Sequence, residues 1–169
     1  MRLFLNRLYD GAAALAAFFM VLLLIAVLLS VTSRVLGFNV PGIDMYAGYM
    51  MAAAGFLALA HTLKKGEHIR VTLVLQTLSP RVRHWMEVTA LVVAAVLAAL
   101  LAWYSVRLCY QSFQFNDIST GNDATPLWIP QLTMAIGTVI LLIAFIDELV
   151  LEWTGQRVQN TSAEALHNE

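Results

Sequence analysis

Four long stretches without Asp, Glu, Lys or Arg alternate with short polar ones along this chain: Gly11–Ser33, Met45–Leu63, Val88–Val106 and Ala124–Ile146. Each is close to the roughly 20 apolar residues that a helix needs to cross a hydrocarbon core of about 30 Å. Only helices or closed barrels satisfy their own backbone N–H and C=O groups in lipid. The pattern therefore predicts an all-α integral membrane protein with four transmembrane helices.

The breaks between the runs are equally informative. Pro41-Gly42 in GFNVPG marks a turn after a first helix ending near Arg34. A second helix runs from about Asp44 to Leu63, and Gly66 ends it. In the segment 67–79, Val71, Val74, Leu75 and Leu78 fall at i, i+3, i+4 and i+7, which predicts a short amphipathic helix lying in the membrane interface. A strand over Ile69, Val71, Leu73 and Leu75 also matches, but a lone strand beside lipid leaves its backbone unpaired. Ser79-Pro80 reads as an N-cap and first helical position. A third helix from Pro80 to about Phe113 would be about 50 Å long, so it must tilt or project. QFNDISTGNDATP is a polar outer loop, and Pro126 or Pro130 begins the fourth helix. Residues 1–155 form one membrane domain, and 156–169 a polar tail. Trp85 and Trp103 bracket the third span, Trp128 and Trp153 the fourth, where Trp favours the membrane–water boundary.

Composition agrees with this reading. The chain has 169 residues, 60% of them hydrophobic and 12% charged, about half the charged share of a soluble domain. A net charge of −1 gives no reason to expect nucleic acid, and a lone Cys109 cannot form an internal disulfide. The first apolar run is longer than a signal-peptide core and lacks a small-x-small cleavage site after it, so a retained anchor is expected.

Charge sets the orientation. With four spans both ends share a side, which would hold Arg2, Arg7, Lys64, Lys65, Arg70, Arg81, Arg83 and Arg157. Only Arg34 and Arg107 fall on the other side. The positive-inside rule makes both termini and the 64–83 loop cytoplasmic. The basic loop Lys64, Lys65, Gly66, His68, Arg70 is then a topological lock.

Reactive chemistry is not evident. HExxH, GxSxG, Walker, CxxC and dinucleotide-binding patterns are all absent from the sequence. No span carries a carboxylate near its middle, the usual mark of an ion path. Asp44 caps the second span, pairs with Arg34, or meets a partner. Asp147, Glu148 and Glu152 end the fourth span, solvated or in salt bridges. His61 and His84 sit near the inner boundary on successive spans, where two imidazoles can ligate a haem iron, but His84 lies at headgroup depth between Arg83 and Trp85. Small residues are the clearest packing signal: Gly48, Ala52 and Gly55 on the second span, and Ala90, Ala94, Ala98 and Ala102 on the third. Such faces let helices approach closely, within the chain or against another membrane protein.

The stretch DMYAGYMMAAAGFLALAHTLKKGEHIRVTLVLQTLSPRVR resembles the small membrane subunit of TRAP (tripartite ATP-independent periplasmic) transporters. Asp44 opens the second span, the small-residue run Gly48–Ala60 follows, and Lys65-Gly66-Glu67-His68-Ile69-Arg70-Val71 precedes the amphipathic segment. TPLWIPQLTMAIGTVILLIAFI is similar to that family's fourth span. Asp44 stands where the family more often has Glu, and Thr72 where an acidic residue is common. The resemblance covers about residues 5–153. It implies a bacterial inner-membrane, multi-pass scaffold subunit, not an enzyme, with no cofactor or metal. Its partners would be a large multi-span permease subunit, a periplasmic substrate-binding protein and membrane lipid. The whole would be a sodium-coupled transporter of organic anions such as carboxylates or sugar acids. The competing readings are a membrane anchor of a haem or quinone redox complex and a self-sufficient small transporter.

Overall fold

A computed structural model describes residues 2–65 and 79–154. It contains four helices: α1 (Arg2–Leu36), α2 (Ile43–Lys65), α3 (Pro80–Gln114) and α4 (Trp128–Trp153). All four are long and apolar enough to cross a membrane, and no strand is present among the described residues. The predicted segment with Val71, Val74, Leu75 and Leu78, together with Gly66, His68 and Arg70, lies outside the described residues, as does the 156–169 tail.

The helix ends follow from local chemistry. α1 closes on Gly37, whose φ of +74° is strained for any residue with a Cβ. The Phe38 N–H bonds back to the Ser33 carbonyl at 3.1 Å, which satisfies one of the last orphan carbonyls. Gly42 also has positive φ and turns the chain into α2. Ser79 stands at the N-cap of α3 with extended backbone and Pro at the first turn, although its hydroxyl makes no capping bond. Asn116, at φ 50°, follows the end of α3. α4 begins at Trp128, so Pro130 falls in the first turn, where a missing N–H costs nothing. The four apolar runs lie within these helices except for residues 124–127, which belong to the turn before α4. α1 is longer than its uncharged run and carries Arg2, Arg7 and Asp10 on its first turns.

The helices pack in the order α1, α2, α4, α3: each of these neighbours shares a seam, and α1 shares none of comparable extent with α3. The array is an open row. The seams are built from small side chains. α3 buries Val88, Leu91, Ala98, Ala102, Ser105, Cys109 and Ser112, in steps of three, four and seven that place a single stripe against a helix crossing at a shallow angle. α1 buries Tyr9, Ala12, Ala16, Ala26, Ser30 and Ser33. The main apolar cluster joins Tyr9 and Ala12 of α1, Ala60 and Leu63 of α2, and Ile140, Leu141 and Ala144 of α4. Lipid removes most of the hydrophobic drive between spans, so these seams rest on close van der Waals contact. A close approach is made at Gly137 of α4, where an added Cβ would lie 2.6 Å from the Phe56 carbonyl oxygen of α2.

Candidate functional site

Polar side chains concentrate at the two ends of the row, and the faces between them are apolar. At the end that includes the start of α1, each neighbouring pair of helices is bridged by an acid–base contact. Asp10 of α1 lies 3.6 Å from His61 Nδ1 of α2. Lys64 of α2 donates to Asp147 and, at 3.1 Å, to Glu148 of α4, and its ammonium sits 5.5 Å from the centre of the Tyr9 ring. His84 of α3 is 3.1 Å from Glu152 of α4. The side chains of Lys64, Asp147 and Glu148 are at least four-fifths buried. Arg83 and Glu87 add an i,i+4 pair on α3. Asp147 and Glu148 are thus salt-bridged, and Glu152 lies within hydrogen-bond distance of the His84 ring. His61 and His84 stand on helices that share no packed seam, each beside its own carboxylate. That arrangement does not form a pair of axial ligands.

At the opposite end, Asp44 joins α1 to α2. Ser30 Oγ donates to its Oδ1 at 2.7 Å and Arg34 Nη2 to its Oδ2 at 2.9 Å. A carboxylate in the first turn of α2 also faces the positive end of the helix dipole. The same corner holds a cleft of about 220 Å³ lined by Ser30, Ser33, Arg34, Asn39 and Asp44 among others. The 115–127 loop is tied to α2 by a second acid, Asp123. Ser119 Oγ donates to its Oδ1 at 2.7 Å and the Tyr49 hydroxyl to its Oδ2 at 3.0 Å. Thr125 Oγ1 donates to the Tyr46 hydroxyl at 3.1 Å. The Ser119 hydrogen bond, aided by that from Tyr49, holds the Asp123 carboxyl below its ordinary value. Gly42 lies directly under Asp123, with room for no side chain.

The small-residue faces divide sharply. Gly48, Ala52 and Gly55 are exposed, and a Cβ added at Gly48 or Gly55 would meet nothing within 4 Å. The α2 residues that pack inside the chain are Ala53, Ala54, Leu57, Ala60 and Leu63. On α3 the alanine series splits: Ala98 and Ala102 are buried, Ala94 is half-buried and Ala90 is exposed. Lys65 is exposed at the end of α2. Reasoning from sequence missed Tyr9, Asp123 and the Gly137–Phe56 contact. The Asp123 tie joins residues 74 positions apart, and only a composition cue, two tyrosines near the start of a span, hinted at it.

The chain matches, over residues 23–155, the family described as "Tripartite ATP-independent periplasmic transporters, DctQ component". A search of curated proteins found no match.

Proposed function

The chain belongs to the DctQ family, the small membrane subunit of TRAP transporters, and from that premise we propose that it is the stationary brace of a three-part carrier. The family is a transporter component, not an enzyme. In this reading the chain is an inner-membrane protein with both termini cytoplasmic. It holds a large permease subunit that moves sodium and an organic anion, such as a carboxylate or sugar acid. The exposed Arg34–Asp44 corner and the 115–127 loop face the periplasm, where they help to seat the substrate-binding protein. The basic loop and the apolar set Val71, Val74, Leu75 and Leu78 anchor the brace at the cytoplasmic interface.

The observation that carries the reading is the distribution of polar groups. Among the described residues, charged side chains lie towards the ends of the helices, and three acid–base contacts there join neighbouring helices to one another. An elevator-like partner needs a fixed surface to move against, and an open row stapled at its ends supplies rigidity and long uncovered faces together. The face through Gly48, Ala52 and Gly55, left open by the described residues, admits close approach of a helix from the large subunit. Ala90 and Ala94 lie on a second uncovered strip.

Reconstitution tests the proposal. Uptake of a radiolabelled organic acid driven by a sodium gradient should require this chain, the large subunit and the binding protein together. Uptake by this chain alone, or undiminished uptake in its absence, refutes the brace.

A further inference from the structure

The first half of α3 carries a trough of about 760 Å³ that opens away from the row. Arg81 stands at one end and Leu97 at the other, with Trp85, Met86 and Val93 along its sides and Ala90 and Ala94 on its floor. The bulky walls are at least 46% exposed, so the chain's described residues leave the trough uncovered. From Arg81 to Leu97 the helix rises about 24 Å, close to the depth of one leaflet with its headgroup layer, about 20–22 Å.

Its chemistry is amphipathic in one direction. Thr89, a polar wall residue, already donates its hydroxyl to the Trp85 carbonyl at 2.8 Å, so it asks nothing of an occupant. The remaining walls are apolar up to the Trp85 indole and the Arg81 guanidinium. Lys64, Arg83 and His84 each have a carboxylate. Arg81 has no ion-pair partner among the described residues. An occupant must therefore bring an anion to the membrane surface and a long apolar chain below it. A helix from another protein satisfies the second requirement and meets the first only with an acid of its own at that depth. An anionic phospholipid meets both.

We propose that this trough binds an anionic phospholipid of the adjoining leaflet, its phosphate on Arg81 and one acyl chain laid over Ala90 and Ala94 toward Leu97. The lipid fills the strip that the described residues leave bare and ties the start of α3 to the membrane surface.

Trp85 is a built-in reporter. In the full-length chain in nanodiscs, with Trp103, Trp128 and Trp153 replaced by Phe, brominated phosphatidylglycerol should quench Trp85 with about fivefold higher apparent affinity than brominated phosphatidylcholine. That is the preference one interfacial cation gives toward an anionic lipid. Arg81→Gln should bring the ratio to about one. Ala90→Phe, which fills the floor, should weaken quenching by both lipids. In the assembled transporter with every Trp intact, a photoreactive benzoylphenylalanine at Val93 should cross-link to phospholipid. Equal quenching by the two lipids, a preference that survives Arg81→Gln, or a cross-link from Val93 to the large subunit overturns the proposal. The last of these would leave the brace reading standing.

Discussion

Gly137→Ala adds one methyl group where α4 lies against the backbone of α2. The new Cβ would sit 2.6 Å from the Phe56 carbonyl oxygen, 2.7 Å from its carbon and 2.9 Å from Phe56 Cβ. An unstrained C···O contact needs about 3.3 Å, so α2 and α4 must separate locally by about 0.7 Å. The obstacle is backbone inside a helix, which cannot rotate away as a side chain would. A gap of that size forfeits a quarter to a half of each neighbouring dispersion contact. Those contacts are dense here, because Thr138 and Ala144 have no exposed surface. Overpacking of this kind costs about 1–3 kcal/mol, offset by up to about 1 kcal/mol of helix propensity gained on replacing Gly. The net expectation is a loss of about 1–2 kcal/mol. Gly48→Ala and Gly55→Ala meet open space and should leave stability unchanged or raise it by up to about 1 kcal/mol. Unfolding of the purified chain by SDS in mixed micelles, followed by far-ultraviolet circular dichroism, reads all three. Gly137→Ala as stable as the unchanged protein would refute the close crossing. Equal losses at Gly48 and Gly55 would refute the assignment of those residues to an open face.

In the assembled transporter, Gly48→Leu with Gly55→Leu should leave the small subunit inserted and folded but reduce co-purification of the large subunit; Ala98→Leu should instead destabilise the small subunit itself by about 1–3 kcal/mol, since Ala98 is buried within it. Lys64→Met removes the buried cation that Asp147 and Glu148 share and should cost about 3 kcal/mol in the same SDS titration, while adding Asp147→Asn and Glu148→Gln should recover a large part of it, a non-additivity that independent sites would not show. Arg34→Gln breaks an exposed pair, with side chains 73% and 63% accessible, and should lower stability only marginally, less in high salt. The tie through Asp123 has a depressed carboxyl pKa, so its contribution is complete above the unfolded value of about 3.9 and is lost as pH falls through the lower folded value; a spin label at Asn122 should stay immobile from pH 8 to 5 and loosen only below about pH 4. A cysteine at Thr120 should react with an impermeant reagent from the periplasmic side and one at Lys65 should not, the reverse pattern being fatal to the proposed orientation.

The helices were legible because lipid makes backbone satisfaction a local matter: an uncharged run of the right length has few other ways to exist there. Their ends were legible where Gly37, Gly42 and Ser79-Pro80 impose a backbone geometry. Partnership across the row was harder. Asp44 with Arg34 is readable from sequence because only a short turn separates them, whereas Lys64 with Asp147 spans 83 positions and depends on which helix lies beside α2.

The small residues show the remaining gap most clearly. A strict step of four advances about 40° around a helix of 3.6 residues per turn. Ala90, Ala94, Ala98 and Ala102 therefore drift by about 120° and cannot share one face. The structure follows that drift: the last two enter the α4 seam while Ala90 looks outward. Gly48, Ala52 and Gly55 alternate four and three, hold one face, and are left open by the described residues. Gly137, alike in composition, is closed by Phe56. Smallness in the sequence says only that something comes close. The structure separates the two cases, since a face already filled by a neighbouring helix has no room for a second, and a face of the same residues left bare has room for another helix.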